Sequence, residues 1–417
     1  MERYELPDDW EWSTLGESCD VNHRDPTLKK ISNDTLVSFV PMAAVNAEQG
    51  IIANPIDRPF SEVRKGFTPF SNGDVIFAKI TPSMENGKAA IASELTNGFG
   101  FGSTEFHVMR PKDSVVADWI FHFIRQQSFR DEAKGSFTGT AGQLRVPEKF
   151  ILNTDIPLAP VPEQQRIISK IKSLFEQSRT ARTALRRVPV LMSQFRRAVL
   201  ASATSGRLTE EWREMHPDAP EHRSVSLREV ATEFRYGTSA KSQKTGEVPV
   251  LRMGNIQDKK LDWNDLVFTS DKNEIEKYKL TTGDVLFNRT NSPELVGKTA
   301  IYKGERPAIY AGYLIKVKCS DALLPDYLNY CLNSPAGRDW ASQVKSDGVS
   351  QSNLNAQKLA NFEFDLPPIE EQVEIVSRVE KLFTQADIIE QAASVSLRRA
   401  EQVDQSILAR AFRGELG

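Results

Sequence analysis

Pro160-Val-Pro-Glu-Gln-Gln-Arg-Ile-Ile-Ser-Lys-Ile-Lys-Ser-Leu-Phe175 decides how this chain folds, because it is used twice. It returns 208 positions later as Pro368-Ile-Glu-Glu-Gln-Val-Glu-Ile-Val-Ser-Arg-Val-Glu-Lys-Leu-Phe383. From Leu158–Phe175 to Leu366–Phe383, 8 of 18 positions are identical, enough to set the register of the repeat. The far ends match without a gap: Leu200-Ala-Ser-Ala-Thr-Ser-Gly206 against Leu408-Ala-Arg-Ala-Phe-Arg-Gly414.

Each copy reads as one long helix. In the first, Ile167, Ile171, Leu174, Ser178, Ala181, Leu185, Val188, Met192, Phe195 and Val199 step by four and three. The second gives Ile375, Val379, Leu382, Ala386, Ile389, Ala393, Ser396, Ala400, Val403 and Ile407. So narrow a stripe is a coiled-coil seam, and the economical partner for one copy is the other. The open alternative is that each helix lies on its own domain. Pro and Glu at each start and Gly206 or Gly414 at each end are the expected terminal residues. About 45 residues at ~1.5 Å rise make a rod on the order of 65 Å. Pro189 predicts a kink or break in the first helix only, since Leu397 stands in its place in the second. Residues 162–213 carry 11 basic against 4 acidic side chains and residues 366–417 carry 6 against 9, so the two helices attract.

The globular parts repeat as well. Gly73-Asp-Val-Ile-Phe-Ala-Lys-Ile-Thr-Pro-Ser-Met-Glu-Asn-Gly-Lys-Ala-Ala-Ile91 aligns with Gly283-Asp-Val-Leu-Phe-Asn-Arg-Thr-Asn-Ser-Pro-Glu-Leu-Val-Gly-Lys-Thr-Ala-Ile301, with 8 identities in 19 positions. Strands are expected at Thr35–Pro41, Val75–Ala78 and Glu105–Met109, then at Val248–Arg252, Val285–Asn288 and Tyr313–Val317. A helix is expected around Trp119 and again around Tyr327, giving mixed α/β domains. The polar stretch Thr209–Arg223 reads as a connector.

With 417 residues, two or more domains are expected. No apolar run approaches the ~18 residues of a membrane span, and no signal-like apolar stretch follows Met1-Glu-Arg-Tyr4. Cys19, Cys319 and Cys331 are scattered and odd in number, which predicts free thiols and a cytoplasmic setting. The five histidines show no metal-ligand spacing and are expected at the surface or as satisfied core residues. Net charge is −3, with residues 1–161 at 16 basic against 22 acidic. A protein that held nucleic acid alone would show a basic excess, so any DNA role needs local basic loops or partners.

Phosphate-binding glycine loops, a Gly-x-Ser-x-Gly elbow and a glycine-rich cofactor segment are all missing from the sequence. Carboxylate pairs such as Asp57/Glu62 read as solvated charge. No catalytic residue, metal ligand or cofactor is assigned. The polar loop after each Gly-Asp-Val strand stands out. Lys79, Thr81 and Ser83 follow the first strand, and Asn288, Arg289, Thr290, Asn291 and Ser292 follow the second, with Lys88 and Lys298 on the return. A second loop precedes each long helix, offering Thr138, Thr140, Gln143 and Arg145, then Ser350, Gln351 and Asn353. Arg or Lys can read guanine, Asn or Gln can read adenine, and Ser or Thr can hold phosphate. These residues form the candidate DNA-contact set.

Leu6-Pro-Asp-Asp-Trp10, the Gly283–Ser292 run, Pro-x-x-Glu-Gln at each helix start and Arg197-Ala-Val-Leu200 through Gly206-Arg-Leu-Thr209 resemble the specificity subunit of type I restriction–modification systems. The resemblance spans the whole chain. It implies target-recognition domains at 1–158 and 214–365, a central helix region at 159–213 and a distal one at 366–417. It further implies an antiparallel helix pair that sets the spacing of an asymmetric bipartite DNA target and docks two methylation (M) subunits. Those in turn recruit restriction (R) subunits; S-adenosylmethionine, ATP and magnesium belong to the partners. Two rivals stay open at this point, a coiled-coil protein scaffold without DNA contact and a self-sufficient methyltransferase.

Overall fold

The computed structural model describes residues 3–23, 25–140, 143–347 and 352–416. The chain forms two compact units, Met1–Leu185 with Val395–Gly417, and Arg186–Ser394. In the first, Val75–Ala78 is the fully buried strand of a four-stranded antiparallel sheet, in the order Cys19–Val21, Phe106–Pro111, Val75–Ala78, Ala89–Ile91. Burial on both faces explains its unbroken apolar sequence, since alternate side chains point opposite ways. Val75 and Phe77 enter the core around Trp119 and Phe129, whereas Ile76 and Ala78 enter the cluster of Val40 and Phe70. A second four-stranded sheet contains Leu36–Val40 and Phe99–Gly102 as a parallel pair. Gly100 sits there because the Phe70 ring occupies the place of a Cβ.

The second unit repeats the plan. Its main sheet runs Ala231–Tyr236, Leu314–Cys319, Val285–Asn288, Thr299–Ile301. Val248–Leu251 pairs in parallel with Ile309–Tyr310. Each unit closes with a short antiparallel pair: Glu11–Thr14 on Asp155–Leu158, and Arg223–Ser226 on Glu363–Leu366. Thr14/Glu17 and Ser226/Glu229 form capping boxes on the turns that follow.

Val161–Thr204 and Ile369–Phe412 are the two long helices. In the first unit Ile167, Ile168 and Ile171, near the start of one, share a core with Ile407, Leu408, Ala411 and Phe412, near the end of the other. In the second unit Val199, Leu200 and Ala203 pack with Ile375 and Val379. In both places a start meets an end, so the pairing is antiparallel. Arg182–Asp404 at 2.8 Å, and Arg196 to Asp387 at 2.5 Å and Glu390 at 2.7 Å, all run from the basic helix to the acidic one.

Four details correct the expectations. The first helix is not broken at Pro189, which lies on an exposed face. The seam is closed only in part, with Ala181, Ile389, Ser396 and Val403 exposed. The stretch after Thr209 is not a plain connector: Glu210–Met215 is helical, and Arg213 and His222 both bind the buried carboxylate of Glu371, at 2.5 and 2.8 Å. His122 is buried with neither ring nitrogen hydrogen-bonded among the described residues, so it is not a satisfied core histidine. The three cysteines are free thiols, each pushed up to about 12, chiefly by burial. Among the described residues no helix is long and apolar enough to cross a membrane.

Candidate nucleic-acid interface

The two candidate loops of each unit lie side by side, held by equivalent backbone hydrogen bonds. In the first unit the Lys79 N–H donates to Glu105 O at 2.9 Å and its carbonyl accepts from Val146 at 2.9 Å. In the second, the Arg289 N–H donates to Tyr313 O at 3.0 Å and its carbonyl accepts from Leu354 at 2.8 Å. The return turn is matched too, Ala78 donating to Lys88 O at 2.9 Å and Asn288 to Lys298 O at 2.8 Å. Ile80 bridges Arg145, and Thr290 and Asn291 pair with Asn353 and Ser352. One frame therefore carries two different sets of side chains.

In the first set, Lys79, Thr81, Ser83 and Lys88 are half-buried, and Thr138, Thr140 and Gln143 are exposed. The Lys88 ammonium donates to the Met42 carbonyl at 2.8 Å, which ties it into the domain. Arg145 grips the Glu105 carboxylate with Nε at 2.9 Å and Nη2 at 2.8 Å. The guanidinium holds Glu105 below its usual carboxylate range, and Arg145 is raised in return.

In the second set, Arg289 stacks 4.9 Å over the Tyr236 ring and donates to Asn353 Oδ1 at 2.9 Å. Asn291, Lys298 and the half-exposed Tyr313 line a groove of about 510 Å³ with Arg252 and Gln257. Ser292 donates to Glu294 at 2.7 Å. Asn288 is fully buried and Thr290 nearly so, with no hydrogen bond to Asn288 Oδ1 or the Thr290 hydroxyl among the described residues. The Asn288 amide N–H donates to the Leu295 carbonyl at 3.3 Å. Ser350 and Gln351 lie outside the described residues. Among the described residues no cluster of His, Cys, Asp or Glu is arranged to hold a metal ion.

Glu105, Tyr236 and Tyr313 lie beside the candidate residues and were not among the expected contacts. A signal for two of them exists: Glu105 and Tyr313 are 208 positions apart, at equivalent strand starts.

Residues 7–187 and 223–395 each match the family of the type I restriction modification DNA specificity domain, and the chain belongs to that family. The two domains are thus DNA target-recognition domains. More particularly, the chain is similar to whole specificity subunits. It is 31% identical to the StySPI specificity subunit of Salmonella potsdam, over 100% of this chain and 91% of that one. It is 32% identical to the EcoKI specificity subunit of Escherichia coli (strain K12), over 74% of this chain and 68% of that one. Among solved structures, the HsdS subunit from Thermoanaerobacter tengcongensis shares the fold at a TM-score of 0.73, with 24% identity and 99% of each chain covered.

Proposed function

We propose that this chain is the non-catalytic, cytoplasmic DNA-reading subunit of a type I restriction–modification complex, one domain reading each half of an asymmetric bipartite target. Its recognition domains are residues 1–158 and 214–365, and its helix regions 159–213 and 366–417. One observation carries the reading: the same hydrogen-bonded loop frame occurs in both units with unlike polar side chains on it. Arg145 with Gln143 and Thr138 faces one half-site, and Arg289 with Asn291, Asn353 and Lys298 the other. Through linkage, two weak recognitions act as one strong one. The domains are acidic overall, so two methylation subunits docked on the helix pair supply most phosphate contacts and the S-adenosylmethionine chemistry. Exposed Val373, Ile388, Ile389 and Val403 on the second helix offer apolar docking surface. Restriction subunits join through the methylation subunits.

The test is selection from a random duplex pool. The chain with its methylation subunits is expected to enrich one sequence of two parts separated by an unread spacer. Enrichment of no sequence, or equal enrichment by the methylation subunits alone, contradicts it.

A further inference from the structure

The loop that carries Arg145 is held by backbone hydrogen bonds that do not involve the Glu105 carboxylate. Thr138 and Arg145 exchange two backbone hydrogen bonds, Thr81 donates to Leu144 O, and Val146 donates to Lys79 O. The second unit keeps the equivalent frame with Tyr313 and Asn353 at the same two places and no ion pair between them. The Glu105–Arg145 pair is thus an addition to the backbone frame, present in the first unit.

Arg145 has five N–H donors in a fixed fork. Glu105 takes Nε and one hydrogen of Nη2, and the Gln143 carbonyl takes one hydrogen of Nη1 at 2.8 Å. Among the described residues, what stays open is one hydrogen on each terminal nitrogen, at the end of the guanidinium away from Glu105. That edge is the bidentate partner of guanine O6 and N7. The Arg145 side chain is 36% exposed and that of Glu105 23%, so the cation is the more accessible partner. A charge-assisted, two-point grip removes rotamer freedom before DNA arrives, which is preorganisation.

Resting on the function proposed above, we propose that Glu105 is a positioning residue that aims the end-on edge of Arg145 at a guanine in the first half-site. The second unit reaches a similar end by another route. There the cation comes from the strand loop, as Arg289, and Asn353 and the Tyr236 ring hold it. Moving the cation from one loop to the other displaces the read position within the half-site.

The test maps methylated sites made by the full complex with wild type, Arg145→Ala, Glu105→Ala and Glu105→Gln. Arg145→Ala and Glu105→Ala are expected to lose guanine preference at one shared position, about tenfold or more. Glu105→Gln, which keeps one acceptor oxygen, is expected to fall between. An unchanged second half-site shows that each variant is folded. Guanine preference retained in Glu105→Ala overturns the proposal. So does a uniform rise in methylation at all sequences, the signature of a charge effect without aim. If wild type yields no two-part motif, the function proposed above fails instead.

Discussion

Gln164 and Gln372, the last residues of the two Pro-x-x-Glu-Gln motifs, are fully buried and make the same three bonds 208 positions apart. Gln164 accepts from Val116 N at 3.0 Å and donates to the Ser114 and Ala159 carbonyls; Gln372 does so with Leu324, Ala322 and Pro367. Each amide pins a long helix to the loop that opens the Trp119 or Tyr327 helix. Gln164→Ala leaves those groups unpaired and is expected to cost about 1–3 kcal/mol in denaturant unfolding of the whole chain. His122 gives a second prediction. Burial among Phe121 and Phe175 holds it at about 3, against ~6.5 in an unfolded chain. Between those values the unfolded state binds the extra proton, so stability rises with pH across this window and the loss is complete at its acid end. His122→Phe is expected to flatten that slope by up to ~1.4 kcal/mol per pH unit. The motif residues were legible in the sequence as a repeat; their role was not, because a glutamine's partners lie on loops some fifty positions upstream.

Strand and helix positions followed from apolar runs and came within a residue or two for Val75–Ala78, Val285–Asn288 and Leu36–Val40. Phe99-Gly-Phe-Gly102 escaped, since two glycines read as a turn until the Phe70 ring that requires one of them is known. The helix seam was legible where Ile167, Ile171, Ile375 and Val379 are buried, and misjudged at Ile389 and Val403, which are apolar yet exposed. Pro189 contributes no N–H to the Leu185 carbonyl, four positions back. Pro189→Ala restores that bond on an exposed face and is expected to stabilise the chain by up to about 3 kcal/mol in the same unfolding measurement. An unchanged midpoint contradicts it. Under the proposed function, matched four-residue deletions in both helices remove about 6 Å and shorten the unread spacer by roughly two base pairs. Site selection with the deleted complex reads this directly.

At the scale of the chain, duplication with divergence is the governing fact. The frame was kept, down to matched hydrogen bonds, while the displayed side chains changed from Lys79 and Arg145 to Arg289 and Asn353. The most direct measurement is a map of methylated sites for Arg289→Ala beside wild type, both assembled with methylation subunits. Relaxed choice of bases in one half-site, with the other half-site and the spacer intact, is what independent readers on one chain predict. Equal loss in both halves, or no change in either, contradicts it.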